Sequence, residues 1–272
     1  MRALAIESES DPRIADYRNV RDADLRLREG LFLTEGRLNV KRLITGSLYR
    51  TRSVLVTETA LHAIRPALEQ LDAGTPVYVA AHALVADVVG YAIHRGCLAA
   101  GERGPEPELA PFLVRHQLRT LIVLEDVSDP ENVGAVFRNA LALGAGGVVL
   151  TRRCVDPLYR RTIRVSMGAS LRLGYARAED GAAVLAALRG AGFTNVALTT
   201  GRDAAPLAGE REAPQRLALW LGSEGDGLSQ QVLERIERRV TIPMAPGADS
   251  LNVATASAIA LHHYRALAEA AQ

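Results

Sequence analysis

The chain has 272 residues, 48% of them hydrophobic, enough for one large domain or two ordinary ones, each with its own core. No apolar run approaches the roughly 20 residues that span a bilayer, and acids interrupt the N-terminus too early for a secretory signal, so no membrane partner is expected and the location reads as cytoplasmic. A formal charge of +1 announces no polyanionic partner by its sum, and Cys97 and Cys154 fit neither a metal nor a disulfide spacing, so both are expected reduced and structural.

In chain order, Asp11 to Leu27 reads as a charged helix and Leu31 to Thr34 as a short strand ending at Glu35-Gly36. A helix over Asn39 to Ile44, a strand over Ser53 to Thr57, a helix over Leu61 to Leu71 and a strand over Pro76 to Ala80 follow. This is βαβα alternation, the pattern of an α/β domain. Ala83 to Val89 is a further helix and Gly96 to Ala99 a last strand. Gly101 to Pro111, poor in hydrophobes and rich in proline, is the best candidate linker. The organisation expected is a first domain over 1–110, a linker over 111–117 and a second domain over 118–272.

The second half opens with Leu118 to Leu124, an apolar strand continuous enough to be covered on both faces, as in a parallel sheet. Asp129 as cap and Pro130 at the first helical position start a helix that carries Asn132, Gly134 and Arg138 and ends at Leu143-Gly144. Strands are expected at Gly147 to Leu150, Asn195 to Thr200 and Leu217 to Gly222, with an amphipathic helix at Ala182 to Arg189. From Arg152 to Arg177 seven arginines face one acid, Asp156, which reads as a local cationic stripe. The chain closes with a strand at Ile242, a loop set by Pro243, Pro246 and Gly247, and an alanine-rich helix capped by Asp249 or Ser250.

Three stretches hold the candidate chemistry. Gly222-Ser-Glu224-Gly-Asp-Gly227 follows a strand, at the sheet edge where open α/β sheets bind ligands. Its glycine order is neither that of a dinucleotide fingerprint nor that of a P-loop, which disfavours a dinucleotide oxidoreductase. Gly134 and Arg138 are four apart on one helix face, which suits an anion over the helix, although a surface ion pair with Glu131 would look the same. The six histidines are scattered and assemble no nucleophilic arrangement with a serine and an acid.

Asn132-Val-Gly134-Ala-Val-Phe-Arg138, Leu221-Gly222-Ser-Glu224-Gly-Asp-Gly227-Leu-Ser229, and Ile242-Pro-Met244 with Ser250-Leu251-Asn252-Val together resemble, in order and spacing, the three motifs of the SpoU-type (TrmH-like) RNA 2′-O-ribose methyltransferases of the SPOUT superfamily. The resemblance covers the chain from about Leu118 onward. It implies an α/β domain with a mainly parallel sheet and a C-terminal trefoil knot. S-adenosylmethionine would lie against Thr199, Gly222, Ile242, Met244 and Leu251, and the substrate site would be completed between the protomers of a homodimer. Ahead of it, Phe32-Leu-Thr-Glu35-Gly36-Arg37 and His94-Arg95-Gly96-Cys-Leu-Ala99 resemble the small α/β RNA-binding domain, related to certain ribosomal proteins, that many of these enzymes carry.

By that resemblance the catalytic set is Arg138, Asn132, Glu224, Ser250 and Asn252, with no metal. Arg138 is the family's functional arginine and is sometimes assigned as the base. Neutralising a guanidinium at pH 7 costs on the order of 7–9 kcal/mol. Physics therefore favours a role for Arg138 in holding the adjacent RNA phosphate and stabilising charge on the 2′-oxygen, with the proton leaving through that phosphate, Glu224 or water. Asn132, Ser250 and Asn252 would orient Arg138, the target ribose and the loop. Ribosomal RNA is the expected substrate; transfer RNA, or a non-catalytic RNA-binding protein that retains the fold, are the alternatives.

Overall fold

The computed structural model describes residues 3–19, 21–90, 96–115, 119–201 and 203–271. The chain divides into two compact units, one made of Met1–Pro105 and Pro157–Arg172, the other of Glu106–Asp156 and Leu173–Gln272.

The first unit contains β1 (Ala3–Ala5), α1 (Asp22–Glu29), β2 (Leu31–Glu35), α2 (Arg37–Gly46), β3 (Arg50–Val56), α3 (Glu58–Leu68), β4 (Val77–Val79), α4 (His82–Val89) and β5 (Cys97–Glu102). Its sheet has the order β1-β4-β3-β5-β2. β1, β4 and β3 run parallel, as alternation with helices requires, and β5 enters antiparallel between β3 and β2. Ile14, Tyr17, Leu33, Leu55, Val85 and Leu98 are among the residues of its core.

Two expectations for this half are corrected. The helix expected from Asp11 to Leu27 is broken into a 3-10 helix, Pro12–Tyr17, and α1. The Arg18 side chain donates back to the carbonyls of Glu9 and Asp11, and Asn19 takes a φ of 41° that asparagine tolerates. The linker begins later than its composition suggests. Gly101 belongs to β5, where the Phe32 ring covers it so closely that a Cβ would come within 2.3 Å of Phe32 Cζ. The His94-Arg95 pair lies outside the described residues.

The second unit opens with α5 (Leu109–Arg115), which occupies most of the expected linker; residues 116–118 lie outside the described residues. Phe112 and Leu113 are buried in the core of this unit, so the segment is held by apolar packing rather than left as a tether. β6 (Thr120–Leu124), α6 (Pro130–Ala142) and β7 (Gly147–Thr151) follow. The chain then contributes Pro157–Arg172, with α7 (Arg160–Val165), to the first unit before it resumes in β8 (Tyr175–Ala178). The remaining elements are α8 (Gly181–Gly190), β9 (Thr194–Leu198), β10 (Ala205–Pro206), β11 (Leu217–Leu221), α9 (Gln230–Leu233), β12 (Arg238–Thr241) and α10 (Val253–Ala270).

The sheet order is β10-β12-β9-β11-β6-β7-β8, and its paired strands all run parallel. β7 and β11 are buried along their whole length, which explains why they read as unbroken apolar runs. The strand expected at Ile242 ends one residue earlier, at Thr241, because Pro243 and Pro246 cannot extend a ladder.

The arginine-rich run is divided between the two units, and five of its arginines are held by acids or carbonyls. In the first unit Arg160 donates to Asp22 at 2.7 Å and Arg164 to Glu35 at 2.8 Å. In the second, Arg152 pairs with Glu179 and Arg153 with Asp126, while Arg177 donates to the carbonyls of Cys154 and Val155. Among the described residues no helix is long and apolar enough to cross a membrane.

Candidate active site

Three neighbouring parallel strands, β12, β9 and β11, end at one side of the second unit, and the chain beyond their carboxyl ends encloses a cleft of about 490 Å³. That size falls within the range of small-molecule sites. The cleft lies between three segments: Leu198 to Thr200 after β9, Leu221 to Leu228 after β11, and Thr241 to Ala256 after β12. In the middle segment the backbone folds back on itself, with Ser223 and Gly227 exchanging hydrogen bonds of 3.2 and 3.1 Å. A Cβ on Gly222 would lie 2.0 Å from the Gly227 carbonyl carbon, so only glycine fits there.

The loop is anchored at its far end. Glu125, buried at the carboxyl end of β6, accepts from Ser229 N at 2.9 Å and Ser229 Oγ at 2.8 Å. The adjacent Asp126 sits at φ 59°, and its carboxyl pKa is held below the ordinary value by the Arg153 hydrogen bond and, less strongly, by Thr151. Burial opposes both.

A head-to-tail amide chain ties two of the walls, those after β11 and β12, together through α6. The free amides at the start of α10, Ala254 N and Thr255 N, donate to Asn252 Oδ1 at 2.9 and 3.3 Å. Asn252 Nδ2 donates to Asn132 Oδ1 at 2.8 Å, and Asn132 Nδ2 donates to Glu224 Oε1. Each link uses a donor and an acceptor in the same sense, so Glu224 is held as a hydrogen-bond acceptor. The cap of α10 is therefore Asn252 and not the expected Asp249 or Ser250. Asn139, two turns along α6 from Asn132, donates to Ala254 O and Ser257 Oγ and fixes α6 against α10.

Thr199, Gly222, Glu224, Ile242, Met244, Ser250, Leu251 and Asn252 all line the cleft, and buried Asn132 reaches it through its hydrogen bonds. Arg138 does not. It is exposed on α6, outside the lining, and forms no hydrogen bond or ion pair among the described residues, so the alternative pairing with Glu131 is not made. Among the described residues the lining holds three acids, Glu224, Asp226 and Asp249, and no basic side chain. Sequence reasoning missed Glu125, although a carboxylate closing an apolar strand was the available signal. Among the described residues no cluster of His, Cys, Asp and Glu could hold a metal ion.

A parallel α/β sheet with an acidic, glycine-walled cleft beyond its carboxyl edge defines a small-ligand-binding α/β protein. The chain belongs to the SpoU rRNA Methylase family, whose model matches residues 119–262. An uncharacterized tRNA/rRNA methyltransferase of Mycobacterium bovis is 40% identical over 258 residues, 93% of this chain and 88% of the relative. Solved structures share the fold, among them the following two. An AdoMet-bound rRNA methyltransferase from Sinorhizobium meliloti superposes with a TM-score of 0.81 at 23% identity, covering 97% of this chain and 98% of its own. An RNA 2′-O ribose methyltransferase superposes with a TM-score of 0.78 at 25% identity, covering 98% and 100%.

Proposed function

We propose that this RNA methyltransferase moves a methyl group from S-adenosylmethionine to a ribose 2′-hydroxyl of ribosomal RNA. The observation that carries the reading is the charge of the cleft: among the described residues three carboxylates and no basic side chain line it. S-adenosylmethionine is the cofactor, and its sulfonium and ammonium suit such a lining, while Leu198, Ile242, Met244 and Leu251 supply apolar surface for its adenosine. When bound, it supplies an electrophilic methyl group.

The same acidity means that an RNA phosphate needs a cation from elsewhere. Arg138, exposed and unpaired on α6, supports a reading in which it serves the cleft of a second protomer. There it holds the phosphate next to the target ribose and stabilises charge developing on the 2′-oxygen. Glu224, fixed by Asn132, leaves its second oxygen to accept from the substrate. Exposed Leu251 and Ile259 support burial of this face in a homodimer. The return of α10 from β12 to pack on α6 supports the trefoil knot. The family's description, and the rRNA substrate named for the Sinorhizobium meliloti structure, support ribosomal over transfer RNA.

Arg138→Ala is expected to lower methyl transfer into RNA at least a hundredfold, about 2.7 kcal/mol or more, and to leave S-adenosylmethionine affinity by calorimetry within about twofold. Equal loss of both contradicts the assignment. Mapping 2′-O-methyl positions in total RNA with and without the gene identifies the RNA; a lost site in transfer RNA refutes the ribosomal assignment.

A further inference from the structure

The first unit holds a second cavity, of about 470 Å³, beyond the carboxyl ends of its three parallel strands β1, β4 and β3. Three helices begin at its rim. α2 starts after Gly36 and α4 after Ala81, and neither has a side-chain cap, so first-turn amides of both are left for a ligand. α3 starts at the third edge with Glu58 and Thr59 in the lining. Arg37, the first residue of α2, lines the same space; its Nε is buried without a partner, and its guanidinium makes no hydrogen bond or ion pair among the described residues. Ile6 and Val79 provide an apolar wall.

The arrangement selects its ligand. Arg37 and the uncapped helix starts call for a phosphate. Glu58 repels a bare anion and instead accepts from an N–H donor, while Ile6 and Val79 offer surface to a flat apolar face. A nucleotide satisfies all three demands. We propose that this cavity takes one unpaired nucleotide of the RNA substrate, with its phosphate on Arg37 and the α4 start and its base turned toward Glu58. The inference rests on the reading of the chain as an RNA enzyme and adds a contact distinct from the methyl-donor cleft.

The test uses the full chain and a fluorescein-labelled, mixed-sequence single-stranded RNA 12-mer. Arg37→Gln is expected to weaken its binding about tenfold and to reduce the slope of log affinity against log salt by about one. Arg65→Gln removes the same charge from the opposite end of α3 and is expected to change neither. Uridine and guanosine 5′-monophosphates should displace the 12-mer where the nucleosides and inorganic phosphate do not. Unaltered S-adenosylmethionine affinity in Arg37→Gln reports an intact fold.

Equal behaviour of the two variants overturns the proposal, as does displacement by inorganic phosphate as strong as by monophosphates. Binding of the monophosphates together with no measurable binding of the 12-mer overturns the RNA assignment. Methyl transfer into total RNA by the unaltered chain is read separately, so this inference can fail while the proposed activity stands.

Discussion

Asn132 links two walls of the cleft, because its amide joins α10 to the glycine loop through both of its ends. Asn132→Asp removes the donor and sets a carboxylate against Glu224. The expected result is a loss of about 1–3 kcal/mol in chemical denaturation and near-complete loss of methyl transfer. Cys97 and Cys154 make a contrasting case. Burial pushes the Cys97 thiol up to about 12 and raises Cys154 as well. Both should resist a thiol reagent at pH 8 in the native chain and react at once in denaturant, whereas rapid labelling of the folded protein would contradict their burial. Asp126 gives the pH-dependent term. Its carboxyl pKa is lowered in the fold, so its stabilisation is present above the unfolded value near 4 and is lost as pH falls through the folded one. Because Arg153 is largely exposed, Asp126→Asn should cost only a few tenths of a kcal/mol at pH 7, and the difference from the unaltered chain should shrink as pH falls below the ordinary carboxylate range.

At the scale of elements, the glycine loop shows how much a few backbone atoms decide. Gly222→Ala would drive a methyl into the Gly227 and Leu228 backbone, which cannot swing aside as a side chain could. Calorimetry should then show at least a tenfold loss of S-adenosylmethionine affinity; retention of binding would mean that the loop has an alternative fold. This loop was legible in the sequence because its residue types and spacing are themselves the constraint. The same holds for α6, where Asp129 caps and Pro130 starts the helix as expected. Elsewhere identity misled. Gly101 looks like a linker residue but is small because the Phe32 ring lies over it, a reason that appears only when β2 and β5 pair. Asp249, Ser250 and Asn252 are all good caps, and the choice falls on Asn252, whose amide nitrogen also reaches Asn132, 120 residues earlier. β1 and β10, of three and two residues, are too short to show a period.

For the whole molecule, the placement of Arg138 outside its own cleft yields a test of assembly. Arg138→Ala and Glu224→Ala chains, each inactive alone, should regain about a quarter of full activity when mixed and refolded, since half the dimers are mixed and each of these has one intact site. No recovery would mean that arginine and cleft serve the same protomer. Sequence alone set Arg138 four residues after Gly134, but the fold buries Gly134 and leaves Arg138 exposed, a difference that no local pattern reports.

The passage of Pro157–Arg172 into the first unit has a practical outcome for anyone dissecting the chain. Neither half is a contiguous stretch of gene: three peptide crossings join them, at 105/106, 156/157 and 172/173. A fragment of residues 106–272 would keep the cleft beyond β9, β11 and β12 but strip the covering from Leu158, Ile163 and Leu171, all buried in the intact chain. Such a fragment should aggregate unless that excursion is replaced by a short polar turn, and the complementary piece ending at 105 should be less stable than the same residues in the parent. Recombination that swaps the front half for another domain would have to carry this return segment along, so the two halves can be exchanged only as an interleaved pair.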